Sequence, residues 1–535
     1  MDISKKLKED ICLFIFPEKE QDFNNFTDDD ISQLMSYPVL ILPDNLRGSC
    51  HGIVEKELLQ SDNIVYTQIV HQISSQTILS PDSFDSFYLK YKELFRCDKN
   101  KPEFVTFFNF DNVTQIRTSI ISLRESAGYV PFVIFQKFNS SGISNDGFSI
   151  YSYMEMVSGF ENGCAGFVID NVNCSIIDKI QGHNFERKLP IALFFSEESE
   201  QNIEKILDNL GQLNVRVIGL CSRKGLYFLK RLNFKTLKKR VDSETTLVHS
   251  ISGLRDAVYF GNSFPFVKIG ERINPTNRKS LSEAIKSSNL IPLVEEARRQ
   301  IENESHCLDV NLGVPGINQR EIFVKAIVEI QNNFDVPIFI DSDRKAVIED
   351  CLKVYRGKPT INSINAKEES YEELLPIAKK YGSIIVLLTV DNKLPETTSD
   401  RIRILEKMLS ICQEYNVAFD KIIVDPVVFA AGTAQDSAKG TLEAIKIIKN
   451  EFGLPTIVGL SNVSFGLPER KYINRAFLIC AIMMGLDGAI FNPLDKEMHN
   501  YIASASGLSG RDKNFTEYIK RFRKIDIDFD IDLDL

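Results

Sequence analysis

An α/β protein made of two (β/α)8 barrels of the TIM type in tandem, the N-terminal one shortened or degenerate, is the fold class this sequence predicts. Three observations carry it. From Phe266 onward, eight short apolar runs alternate with amphipathic segments of helix length. Almost every one of those runs ends in a carboxylate, amide or hydroxyl side chain, and the C-terminal strand ends are where such a barrel keeps its active site. Ahead of Phe266 lies a second stretch of barrel length with the same alternation in weaker form.

The second barrel reads strand by strand. "FVKIG" runs into Glu271, "HCLDVN" carries Asp309 and Asn311, and "PIFI" stops at Asp341. "PTI" stops at Asn362, "SIIVLLT" at Thr389, "KIIV" at Asp425, "TIVGL" at Ser461 and Asn462, and "GAIF" at Asn492. For any single position a helix N-cap explains the polar residue equally well, because Asp, Ser and Asn are preferred there. Eight in series favour a polar pocket. The most informative segment is Val458 to Arg475, "VGLSNVSFGLPERKYINR", where a strand end, Ser-Asn and a Gly/Pro loop open into a helix.

The first half is less regular. Apolar runs recur at "PVLIL", "QTILS", "EFVTFFN", "YVPFVIFQ", "AGFVID", "PIALFFS" and "VRVIGL", separated by helical segments such as "SIYSYMEMVSGFENG" and "EQNIEKILDNLGQL". The first 60 residues are less periodic, which leaves the opening strands unassigned. The expected division is a first barrel over 1–237, a connection over 238–265, a second barrel over 266–522 and an acidic tail over 523–535. In that tail, "IDIDFDIDLDL" alternates five aspartates with apolar residues, a pattern read as a solvated end rather than a docking strand.

Composition narrows the partners. A chain of 535 residues with 43% hydrophobic and 25% charged residues is ordinary for a globular protein, and a net charge of −10 argues against nucleic acid or an anionic membrane as partner. No apolar run reaches the roughly 18 residues of a membrane span; "FLICAIMMGL" ends at Asp487. The N-terminus lacks a small-residue cleavage site, and the ten cysteines include no CxxC pair, so reduced thiols in the cytoplasm are expected. The six histidines do not cluster, and the oligomeric state, a homodimer included, stays open.

The segments "IGERINPTNRK", "DVNLGVPG", "IDSD", "INSINA", "VDPVV", "GLSNVSFGLPERKYINR" and "GLDGAIFNPLD" resemble, in order and spacing, the pterin-binding barrel of methyltetrahydrofolate methyltransferases. That group includes the folate module of cobalamin-dependent methionine synthase. The resemblance implies a methyltransferase acting on 5-methyltetrahydrofolate, with Asp341, Asn362 and Asp425 pairing with the pterin edge, Asn462 beside N5 and Arg470 near the ligand. Gly459, Ser461 and Asn492 belong to the same pocket, and Glu271, Asp309 and Asn311 are secondary candidates. Asn277 stands where the family often has glycine, and Asn is the residue that best tolerates such a backbone. Dihydropteroate synthases share this barrel but carry basic residues after strand seven, where this chain has "SNVSFG".

"GCAGFVIDNVNCSIID" and "NVRVIGLCSRKG" resemble strands of homocysteine S-methyltransferase domains, which hold zinc through three thiolates. Cys174 and Cys221 match two of these, and Ser222 replaces the third. A neutral hydroxyl is a poor zinc ligand, so inert cysteines outweigh a working zinc site. None of His51, His71, His183, His249, His306 or His499 has Asp two positions before it, so no Asp-x-His-x-x-Gly loop of cobalamin-binding domains is present. The corrinoid is therefore expected on a separate protein. Two other readings stay open: a methionine synthase component that also methylates homocysteine, and a non-catalytic folate-binding protein. Because every pocket motif follows Phe266, a fragment from about residue 262 is expected to carry the folate site.

Overall fold

The computed structural model describes residues 12–15, 39–43, 64–71, 78–95, 102–108, 110, 112–169, 175–184, 189–195, 215–220, 247–276 and 278–523. Eight parallel strands form the first barrel: β1 (Cys12–Ile15), β2 (Val39–Pro43), β3 (Ile64–His71), β4 (Phe104–Phe108), β5 (Phe132–Lys137), β6 (Gly163–Ile169), β7 (Ile191–Phe195) and β8 (Val215–Leu220). The barrel closes because β1 pairs with both β2 and β8. Helices α1 (Pro81–Leu94), α2 (Val113–Ala127), α3 (Ile150–Ser158) and α4 (Ile176–Asn184) lie between its strands.

Of "QTILS", expected as a strand, residues 78–80 form instead the approach to α1, and the first two residues lie outside the described ones. Ser80 caps that helix in a reciprocal capping box with Ser83, with Pro81 in the first turn, and these helix-start signals override the short apolar run. The strand that precedes α1 is β3, and β1 lies among the opening strands that the sequence leaves unassigned. The expected helix "EQNIEKILDNLGQL" lies outside the described residues.

Aromatic side chains fill the first barrel. Phe104, Phe108, Val133, Phe135, Cys164, Ala192, Phe194 and Val217 form one buried cluster. Toward the C-terminal strand ends, the ring of Phe194 lies 5.0 Å from that of Phe108 and 5.4 Å from that of Phe135. Gly219 makes room for this group, since a Cβ there would come within 2.4 Å of the Phe194 ring.

The expected connection contains a hairpin, β9 (His249–Ser252) and β10 (Ala257–Phe260). Ile251 and Phe260 join Val267, Ile269, Cys307, Phe339, Ile384, Val386, Ile423 and Ile457 in one cluster, so the hairpin plugs the N-terminal end of the second barrel. That barrel consists of β11 (Val267–Ile273), β12 (Cys307–Asn311), β13 (Ile338–Asp341), β14 (Thr360–Asn365), β15 (Ile384–Leu388), β16 (Ile422–Asp425), β17 (Ile457–Gly459) and β18 (Gly488–Phe491). The parallel strands run in the order β16-β15-β14-β13-β12-β11-β18-β17, and the bridge Val424 to Thr456 brings the two edges together. Its helices are α5 (Lys279–Lys286), α6 (Ile291–Glu302), α7 (Gln319–Asn333), α8 (Lys345–Val354), α9 (Glu368–Tyr381), α10 (Thr398–Glu414), α11 (Gln435–Ile447), α12 (Arg470–Met483), α13 (Lys496–Leu508) and α14 (Thr516–Phe522). No helix among the described residues is long and apolar enough to cross a membrane.

The two barrels share one buried apolar cluster, which includes Tyr91 and Tyr153 from the first and Tyr355 and Tyr381 from the second. Arg117 on α2 is buried in this seam. Its guanidinium donates to the carbonyls of Leu352 (3.1 Å), Tyr355 and Tyr381 (3.3 Å), where α8 and α9 end. A cation there satisfies carbonyls that the helices leave unpaired and complements their dipoles. On α3, buried Glu155 accepts hydrogen bonds from Ser250 and Tyr259 of the hairpin. Lys421 Nζ reaches the Ser158 carbonyl at 2.6 Å. Beside it the two chains touch backbone to backbone: a Cβ on Gly159 would lie 2.5 Å from the Gly382 carbonyl oxygen.

Candidate active site

Strand geometry alone places the candidate residues at one mouth. Side chains alternate faces along a strand, so a residue two places beyond an interior residue also points inward, one layer higher. Val267 and Ile269 lie inside the second barrel, and Glu271 follows; Cys307 is followed by Asp309 and Asn311; Phe339 by Asp341; Ile423 by Asp425; Ile457 by Gly459. Register then lines up Asn311, Asp341 and Asn362 on three adjacent strands.

These groups bond to one another. Asn362 Nδ2 donates to Asp309 at 2.9 Å, Asn311 Nδ2 donates to Asp341 at 3.0 Å, and the Asp309 and Asp341 carboxyls share a hydrogen bond. Burial, and then the neighbouring Asp341, push Asp309 well above the usual carboxylate range; burial raises Asp341 too, less strongly. Burial thus favours the protonated form at this pair, and the mouth carries less negative charge than its carboxyl count suggests.

Asp425 closes β16. Burial pushes its carboxyl up to about 7, against the opposing pull of the Val427 N–H, 2.8 Å away, and of Arg401. Val427 sits at φ 60°, an uncommon conformation for a β-branched residue that costs on the order of 1–3 kcal/mol. Glu271, raised by burial, accepts the Ser461 hydroxyl at 2.7 Å.

Ser461 and Asn462 lie on a single 3-10 turn after β17. A Cβ on Gly459 would stand 3.0 Å from Asn462 Nδ2, so glycine allows that amide to fold back over the strand end. Arg470, the first residue of α12, donates to the Ser461 carbonyl at 2.6 Å and to the Ser464 hydroxyl at 2.9 Å, fixing the turn from outside. Asn492 accepts the Leu494 N–H at 3.1 Å and shapes the loop after β18.

Two features were not expected from the sequence. Glu296 on α6 pairs with Arg272 and, at 2.7 Å, with Arg278, tying down the loop after β11. Arg401 on α10 binds the loop after β16. The only sequence signal for the first was the repeated arginine in "GERINPTNR"; the second had none. Cys174, Cys221 and Ser222, the residues of the degenerate zinc motif, and Asn277 lie outside the described residues. Among the described residues no group of three or more His, Cys, Asp or Glu side chains is arranged to hold a metal.

Amides, a hydroxyl and carboxyls thus present donors and acceptors at one mouth, suited to the edge of a flat polar heterocycle. Residues 270–492 match the family of pterin binding enzymes. The C-terminal half carries a pterin-binding domain.

This domain is homologous to a methylcorrinoid:tetrahydrofolate methyltransferase of Eubacterium limosum, 26% identical over 265 residues that cover 48% of this chain and 96% of that protein. It is also homologous to methionine synthase of Mycobacterium tuberculosis, 27% identical over 266 residues covering 47% of this chain and 22% of that protein. The match thus spans about a fifth of the synthase. Among solved structures, 7,8-dihydropteroate synthase from Vibrio fischeri ES114 aligns over 48% of this chain and 97% of its own, with 18% identity and a TM-score of 0.39.

Proposed function

We propose that this protein is a methyltransferase that binds 5-methyltetrahydrofolate in the mouth of the second barrel and exchanges the N5-methyl group with a corrinoid carried on a separate protein. The observation that carries this reading is the convergence of Asp341, Asn362, Asp425 and Asn462 at one strand-end mouth within the pterin-binding domain. Asp425, ionised, accepts from the amino-pyrimidinone edge, while Asn362 and Asp341 complete the donor and acceptor pattern.

Forward transfer breaks the N5–CH3 bond. The electron pair stays on N5, the methyl group moves to the cob(I) nucleophile, and N5 must be protonated or strongly hydrogen-bonded because a bare amine anion is too basic to leave. Asn462 suits that need, since its amide rotates to donate or accept as charge on N5 changes, concentrating its effect in the transition state. The name of the Eubacterium relative favours the opposite direction, from methylcorrinoid to tetrahydrofolate. The same residues serve both directions by microscopic reversibility.

The experiment is to incubate the full chain with 5-methyltetrahydrofolate and cob(I)alamin, and separately with tetrahydrofolate and methylcobalamin, and follow the cobalamin spectrum. Turnover in either mixture supports the reading and assigns the favoured direction. Absence of turnover together with no calorimetric binding of either folate at high micromolar concentration removes it. Folate binding without turnover leaves the folate-binding protein instead. The aromatic filling of the first barrel supports a non-catalytic role for that unit, and homocysteine methylation by the chain would overturn that part.

A further inference from the structure

Arg401 is fully buried, on the first turn of α10, yet its guanidinium reaches neither a carboxylate nor solvent. Apart from one hydroxyl, it is spent on backbone. Nε donates to the Pro426 carbonyl at 2.8 Å, Nη1 to the Thr397 carbonyl at 3.0 Å, and Nη2 to the Ser437 hydroxyl at 2.7 Å and the Val427 carbonyl at 3.4 Å. The Phe429 ring lies 5.6 Å from its Cζ. One planar group thus joins the start of α10, the start of α11 and the Pro426–Val427 segment between β16 and α11. The Thr441 hydroxyl adds a second hold on the Val427 carbonyl at 2.8 Å.

The purpose of holding that segment is visible in Asp425. Val427 takes its left-handed backbone with its N–H aimed back at Asp425 Oδ1, and this hydrogen bond orients the carboxylate. A β-branched residue does not stay in that conformation unless its surroundings enforce it. We propose that Arg401 is a positioning residue for the pterin-pairing carboxylate: by clamping the carbonyls of Pro426 and Val427 it holds the Val427 N–H against Asp425 and so fixes the carboxylate toward the substrate. This rests on the proposed folate site. It assigns to α10, whose residues supply no candidate ligand contact, a share in substrate recognition.

A double-mutant cycle with the full-length protein tests it, reading 5-methyltetrahydrofolate affinity by calorimetry for the wild type, Arg401→Met, Asp425→Ala and the double variant. If Arg401 acts through Asp425, Arg401→Met weakens binding about tenfold in the wild-type background and less than about twofold once Asp425 is absent. Arg401→Lys, which keeps the charge but not the fork, should fall between. Equal losses in both backgrounds would make Arg401 a general structural residue and overturn the proposal, as would unchanged affinity of Arg401→Met beside weakened Asp425→Ala. Failure of the wild type to bind any reduced folate would instead remove the functional reading itself. Should Arg401→Met not fold, Ser437→Ala removes one anchor while the guanidinium and its backbone bonds stay in place, and the same cycle is run with it: a loss that disappears in Asp425→Ala supports the clamp, and a loss that persists overturns it.

Discussion

Asp425 is where residue chemistry becomes measurable. Its carboxyl titrates near 7 in the folded protein and near 3.9 in an unfolded chain, so the folded state binds the proton more tightly. Stability from this group is therefore greatest at low pH and declines as pH rises from about 4 to about 7, by at most about 1.4 kcal/mol per pH unit. Asp425→Asn removes the term: thermal midpoints of wild type and variant should lie close below about pH 4 and separate toward pH 7, the variant higher. Parallel curves would place the titration elsewhere. In ligand binding the sign reverses, because an ionised acceptor is wanted. Asp425→Ala should cost about 1.5 to 3 kcal/mol of folate affinity through loss of a charge-assisted hydrogen bond, measured by calorimetry. Asn462→Ala should lower the rate of methyl transfer more than the affinity. A loss confined to affinity would make Asn462 a binding residue only.

Among the elements, the hairpin β9–β10 changes what the second barrel is. Ile251 and Phe260 fill its N-terminal end, so a fragment beginning at residue 262 would leave the barrel open there, and one beginning near 247 would not. The longer fragment should show the higher thermal midpoint, and Phe260→Ala in the full chain should cost about 3 to 5 kcal/mol by denaturant titration, as for other buried Phe truncations. If the two fragments melt alike, the hairpin is an accessory. The sequence hid this plug because four-residue strands without strict alternation resemble a linker. The strands of the second barrel were legible for the opposite reason: each apolar run stops at a polar residue that marks the mouth. In the first barrel several runs also end in polar residues, "EFVTFFN" and "PIALFFS" among them, but the first 60 residues lack clear alternation, and "QTILS" stood in place of β3. Within the site, the strand-end residues followed from alternation. The pairing of Asp309 with Asp341, the clamp of Arg401 and the backbone of Val427 are contacts between distant segments, which periodicity does not encode.

At the scale of the molecule, the shared core and Arg117 make the two barrels one body across the described residues. Arg117 is pushed down to about 10 by burial, and it remains charged at neutral pH. Replacing it with Ala leaves the ends of α8 and α9 without their donor and opens a cavity in the seam, at a cost of about 3 to 5 kcal/mol. The wild type should unfold in a single calorimetric transition, and Arg117→Ala should broaden or split it as the barrels uncouple. A single transition of unchanged width and midpoint would mean that the seam contributes little to cooperativity.

The glycine contact between the barrels makes their spacing adjustable. Gly159 has an ordinary helical backbone, φ −62°, so it can accept a side chain without local strain, whereas Gly382 at φ 65° cannot. Ala, Ser and Val at position 159 therefore form a wedge of increasing width driven between two barrels whose separation is set elsewhere by hydrogen bonds. Such a series would convert a static seam into a ruler, reporting how far the first barrel must be moved before the strand-end mouth of the second one notices.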